Sequence, residues 1–165
     1  MPGPLDDLGA VLAAEAAECR DLLPLLEEEY RALIRADGAV LLDLGAKREA
    51  SIAHLGALER SRRAALSGVA AALGLPLSAV TLSGLLTLMP GPAAALLPLR
   101  NELRDLLERL RVLNSRNRFV AEHTLDCLRG LFSSLVAALA PAPTYADSGR
   151  ARQPAQELRL LDRRA

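Results

Sequence analysis

The side chains able to do acid–base, nucleophilic or metal chemistry are few in this chain and do not cluster. His54 and His123 stand singly in charged helical stretches, and neither falls in the Glu-x-x-His spacing that places a metal-ligand pair on one helix face. There is no Gly-rich phosphate loop, no His or Cys pair at ligand spacing and no Ser/His/Asp set. Cys19 and Cys127 fall on the apolar sides of helical patterns, where reduced, buried thiols act as small hydrophobes. The reading is a non-enzyme without cofactor or metal. Two arginine groups, Arg60, Arg62, Arg63 and Arg109, Arg111, Arg116, Arg118, could touch phosphate. Acids alternate with them and the aromatic residues of nucleic-acid binders are missing, so they read as solvated helix faces.

The polar residues that stand out are Asn114 and Asn117. From Leu96 to Leu139 apolar residues return every three or four positions: Leu96, Leu99, Leu103, Leu106, Leu110 and Leu113 form one seam, and Asn117 takes its next slot. Val120, Thr124, Cys127 or Leu128, Leu131, Leu135 and Leu139 carry the seam on. An Asn in an apolar seam costs stability and serves to fix register or to hydrogen-bond one neighbour. Register within the chain and registration of a partner helix both remain open.

Such a helix must be held by other helices. The 165 residues are 51% hydrophobic, 24% charged and only 2% aromatic, which suits one all-helical domain with a Leu, Ala and Val core and disfavours a deep ligand cleft. Twenty basic residues cancel twenty acidic ones, so no overall field draws the chain to nucleic acid or an anionic membrane. The start, MPGPLDDLGAVLAAEAAECRD, does not read as a secretory signal, and no window is long and apolar enough to span a bilayer, so a cytoplasmic location is expected.

Leu5 to about Ala36 reads as a first helix, with Pro24 expected to kink or break it near Arg20 to Leu23. Gly38 is expected to end it in a left-handed conformation, with Asp37 or a neighbour capping the next helix. A second helix from about Ala39 to Leu73 is expected to turn Leu41, Leu44, Ile52, Leu55, Leu58, Leu66, Val69 and Leu73 inward, leave Lys47, Arg48, Glu49, Glu59, Arg60, Arg62 and Arg63 largely solvated, and end at Gly74. Ser78 could cap a short helix to about Met89 before Pro90-Gly91-Pro92, and a third long helix, roughly 60 Å in length, should start between Ala93 and Pro98. The expected fold is all-α: an elongated antiparallel bundle or coiled coil of three long helices plus a short connecting helix over residues 1–140, then a flexible C-terminal tail over 141–165 rich in Pro, Ala and charge.

The order of these parts resembles the FlgN-type chaperones of the flagellar type III export apparatus. The resemblance rests on LLPLLEEEYRAL, on KREASIAHLGALE after a Gly-containing turn, on LRNELRDLLERLRVLNSRNRFVAEHTLDCLRGL, and on TYADSGR. Leu113-Asn114 followed by Asn117-Arg118 resembles the family's Leu-Asn and Asn-Arg pair. Tyr145 to Arg150 resembles its tail motif, with Ala146 where an acidic or polar residue is commoner. The resemblance implies a cytoplasmic chaperone that covers the terminal helices of unassembled hook-filament junction proteins (FlgK/FlgL-like) and delivers them to the cytoplasmic domain of the export gate (FlhA-like). The third long helix would be the platform, with Leu113, Asn114, Asn117, Val120, Leu128, Leu131 and Phe132 as client contacts. Tyr145, Gly149 and Arg150 would dock at the gate. A homodimer is compatible with this reading, and stable membrane insertion is not expected. The competing reading is a coiled-coil structural or adaptor protein without chaperone activity.

Overall fold

The computed structural model describes residues 3–139, and every described element is helical: α1 (Pro4–Arg35), α2 (Gly38–Leu73), a single 3-10 turn (Leu77–Ala79), α3 (Leu82–Leu88) and α4 (Leu96–Leu139). The chain divides into two units, Met1–Thr124 and Leu125–Ala165.

Within the first unit α1 and α2 are antiparallel, as the pairings Glu15–Arg62, Glu18–His54 and Glu29–Arg48 require. α4 runs parallel to α1. Leu96 packs with Leu8 and Leu12, Arg20 bonds Glu102 at 2.6 Å, and Asn117 reaches Leu26. Two clusters make the core. At one end Leu8, Leu12, Val69, Ala70, Val80, Leu85, Ala93 and Leu96 close α1, α2, α3 and the start of α4 together. Farther along, Ala16, Cys19, Leu22, Leu23 and Leu26 of α1 meet Leu106 and Leu110 of α4. Small residues let the axes approach: a Cβ added at Gly9 would lie 3.3 Å from Leu96 Cδ2, and Ala16 is fully buried.

The helix ends follow local hydrogen bonding. The Gly3 N–H donates to the Asp6 carboxylate at 2.8 Å and Pro4 sits in the first turn, where its missing N–H costs nothing. α1 ends two residues earlier than its glycine suggests: Ala36, not Gly38, takes the left-handed conformation (φ 52°). Asp37 then caps α2 by accepting the Val40 N–H at 3.2 Å, and Gly38 lies in the first turn of α2. At its far end α2 stops at Gly74 with φ 66°, as the sequence predicts. The short helix is capped by Thr81, which accepts the Gly84 N–H at 3.0 Å, rather than by Ser78, which falls in the 3-10 turn. α4 begins at Leu96, which puts Pro98 in the tolerated first turn.

Pro24 does not break α1. It removes one hydrogen bond to the Arg20 carbonyl, a cost of ~3 kcal/mol, but Pro24 and Arg20 lie on the exposed face while Leu22, Leu23 and Leu26 on either side are buried. Burial of each leucine contributes about 1.5–3 kcal/mol, so packing outweighs the lost bond and the helix runs on.

The expected inward set of α2 needs one correction. Ile52 is 55% exposed, because the face that meets α1 carries Arg48, Ser51, Leu55 and Arg62, at steps of three, four and seven. Arg48 and Arg62 are therefore half-buried seam residues instead of solvated ones. Their charges are matched by Glu29 (3.1 Å) and Glu15 (3.0 Å) across the interface.

Candidate functional site

The middle of α4 carries the densest polar arrangement in the first unit. Leu106 and Leu110 fix this part of α4 against α1, and one turn past the half-buried Leu113 the seam delivers Asn117. Only 4% of Asn117 is exposed. Its Nδ2 donates to the Leu26 carbonyl at 2.7 Å and to Glu29 Oε2 at 2.9 Å, so both amide hydrogens are used. Glu29 also accepts from Arg48 of α2 at 3.1 Å, so one carboxylate ties α1, α2 and α4 together. Beside it the Arg116 guanidinium carbon lies 3.8 Å from the Tyr30 ring centroid, a cation–π contact that adds a second α4-to-α1 tie. The Asn117 Oδ1 and Arg116 Nε are buried without a hydrogen-bond partner among the described residues.

Two open clefts flank this seam. One of about 320 Å³ is lined by Glu29, Leu33, Arg48, Asn114, Asn117, Arg118 and Ala121. The other, about 240 Å³, is lined by Glu27, Glu108, Arg109, Val112 and Leu113. Asn114 and Asn117 thus share a cleft, while Leu113 faces the other and Val120 is half-buried. The charges of the polar cleft are matched in place, Glu29 by Arg48 and Arg118 by Glu122 (2.8 Å), a bond that pushes the Arg118 guanidinium pKa upward.

Electrostatics elsewhere in the first unit are structural. Glu18 lies beside the Ser51 hydroxyl and 2.7 Å from His54 Nδ1; the Ser51 bond first, then His54, hold its carboxyl below its ordinary value. Burial, helped by Glu15 and Glu18, pushes the Cys19 thiol up and keeps it protonated. Among the described residues no group of three or more His, Cys, Asp or Glu could hold a metal ion. No described helix is long and apolar enough to cross a membrane.

The helical part of the second unit, 125–139, is different in kind. Every residue of it is exposed, yet Leu125, Leu128, Phe132, Leu135 and Leu139 recur at steps of three and four, with Leu131 and Val136 beside them. Leu131 is 68% exposed, Phe132 65% and Leu139 75%. Among the described residues its one ion pair, Asp126 with Arg129 at 3.2 Å, lies within the helix. A stripe of seven large apolar side chains in fifteen residues exceeds the scattered exposed leucines of an ordinary surface and suits the apolar face of a second amphipathic helix.

Of the sequence-derived contact residues, Leu128, Leu131, Phe132 and Asn114 are exposed, Leu113 and Val120 half-buried, and Asn117 buried. Cys127, expected to be buried, is exposed, because no described residue packs on its turn of α4. Tyr145, Gly149 and Arg150 lie outside the described residues. Sequence reading missed the Arg116–Tyr30 contact and the stacked pair Phe119–His123, 6.1 Å between centroids. The i, i+4 spacing of Phe119 and His123 was the available signal.

Comparison with known proteins adds one finding. No curated protein and no solved structure matches the chain. The family model described as FlgN protein matches residues 1–153, all of the described helices and the stretch that holds Tyr145, Gly149 and Arg150. The chain belongs to the FlgN family.

Proposed function

We propose that this protein is a cytoplasmic flagellar export chaperone. It binds the terminal helices of unassembled hook-filament junction proteins and delivers them to the type III export gate. The observation that carries the reading is the exposed stripe from Leu125 to Leu139. A client terminus that lacks its assembly partners is itself an amphipathic helix, and laying its apolar face on the stripe removes both surfaces from water. Leu128, Leu131 and Phe132 are the direct contacts in this reading, with Leu113, Val120 and Asn114 as proposed contacts on earlier turns of α4. Asn117 acts indirectly: buried and bonded to Leu26 and Glu29, it holds the register of α4 against α1. Tyr145, Gly149 and Arg150 are assigned to docking at the gate, and the net charge of +2 over residues 145–165 suits an acidic docking surface.

Co-expression with the terminal segments of the same organism's junction proteins, followed by size-exclusion chromatography, tests this. A complex that forms with the native chain and is lost in Leu131→Glu, while that variant keeps its helicity, supports the proposal. Absence of a complex with every junction protein sinks it and leaves the adaptor reading.

A further inference from the structure

An exposed apolar stripe of this size marks an interaction surface. We propose that, without client, the stripe on α4 is covered by the chain's own last segment, Glu157–Arg164, which reads ELRLLDRR.

Three observations select this occupant. First, reach: the stripe from Leu125 to Leu139 is roughly 21 Å long at 1.5 Å per residue, and residues 140–156 connect its end to Glu157. Seventeen residues can span up to roughly 60 Å, well beyond the length of the stripe, so the segment can return to any point of it. Because it is tethered, its effective concentration at the stripe is set by the connection and not by the solution. Second, chemistry: Leu158, Leu160 and Leu161 are the only large apolar side chains in 146–165, and they fall within the one stretch there that has helical amphipathic spacing. The stripe helix carries only the self-satisfied pair Asp126–Arg129, so nothing on it repels the segment's mixed charges. Third, size: a second copy would meet the stripe with about four helical turns, against about 20–30 residues a side in a stable dimer. A short tethered segment needs far less contact than a free partner, because closure is intramolecular.

Tyr145 to Arg150 lie in the connection and not in the covering segment.

The test needs no client and so stands apart from the chaperone reading. Amide hydrogen exchange across Leu125–Leu139 is compared in the native full-length chain and in the Leu160→Glu/Leu161→Glu chain, at several protein concentrations. The α4 amides near Leu106 and Leu110 serve as an internal reference. The expected result is exchange about tenfold faster in the variant, a change in opening free energy of ~1.4 kcal/mol, confined to Leu125–Leu139 and independent of concentration. Equal exchange in the two chains overturns the proposal. Protection that grows with concentration, together with a dimer mass by light scattering, also overturns it and makes a second copy the occupant.

Discussion

Replacing Asn117 by Asp exchanges one amide nitrogen for oxygen and should nearly abolish the docking of α4 on α1. The Nδ2 position faces two acceptors, the Leu26 carbonyl at 2.7 Å and the Glu29 carboxylate at 2.9 Å. An aspartate there has no proton for either at neutral pH. The loss includes one neutral hydrogen bond, about 0.5–1.5 kcal/mol, and one bond to a charged group, about 1.5–3 kcal/mol. A buried carboxylate without a partner adds about 3–5 kcal/mol, with Glu29 as a like charge beside it. The sum, at least ~5 kcal/mol, is comparable with the whole stability of many domains, about 5–15 kcal/mol. Asn117→Leu should behave quite differently. The Leu26 carbonyl keeps its helical bond, Glu29 keeps Arg48, and the buried Oδ1 that lacks a donor disappears. Its stability should stay within about 1 kcal/mol of native. Urea denaturation followed by helical circular dichroism measures both. A further sign is fixed: burial and the neighbouring Glu29 push the carboxyl introduced at position 117 up in the folded state, so its penalty is full at neutral pH and falls as acid protonates it. An Asn117→Asp chain within ~1 kcal/mol of native at pH 7, or one no less stable than Asn117→Leu, would refute this account of the seam.

Other consequences are more local. Leu131→Glu, at a side chain 68% exposed, should cost no more than the cover of the stripe, about 1.5 kcal/mol, whereas Leu106→Ala, in the second core cluster, should cost about 2–5 kcal/mol; thermal unfolding distinguishes the two. Native protein should take up one equivalent of a thiol alkylating reagent, at exposed Cys127, and the second only on unfolding, because Cys19 is buried and its thiol is held protonated; mass spectrometry of peptides reads it. The Glu18 carboxyl is held below its ordinary value of 4.5 by Ser51 and His54. Its contribution is therefore full above that value and lost as pH falls through the lower folded one, so Glu18→Gln should flatten the acid limb of a stability profile by less than ~1 kcal/mol.

The sequence carried some of this fold clearly and some not at all, for physical reasons. α4 was legible as one long helix starting between Ala93 and Pro98, since a sustained three-four pattern needs no partner to be recognised and Pro98 is tolerable only in a first turn. Gly74 announced its own left-handed turn, but Ala36 took that conformation in place of Gly38 because Asp37 is the better cap. Counting apolar positions alone drew Ile52 into the α2 seam. The seam slots belong to Arg48, Ser51 and Arg62, whose inward position depends on acids in another helix, Glu29, Glu18 and Glu15. Periodicity likewise marked Leu128, Leu131, Leu135 and Leu139 as one face without telling whether anything covers it. That is why Cys127 was expected buried and is not. Asn117 was singled out correctly as a residue with a specific neighbour, yet which neighbours, Leu26 and Glu29, lay 91 and 88 positions away and beyond local inference.

The most direct test of the central claim is site-specific photo-cross-linking in the chaperone–client complex, with a benzophenone side chain placed in turn at Leu128, Leu131 and Phe132, and at Leu42 of α2, which is 80% exposed and outside the stripe. The account predicts covalent adducts to the terminal helix of the junction protein from the three α4 positions and none from position 42. Adducts from position 42 with none from the stripe would show that the client is held elsewhere.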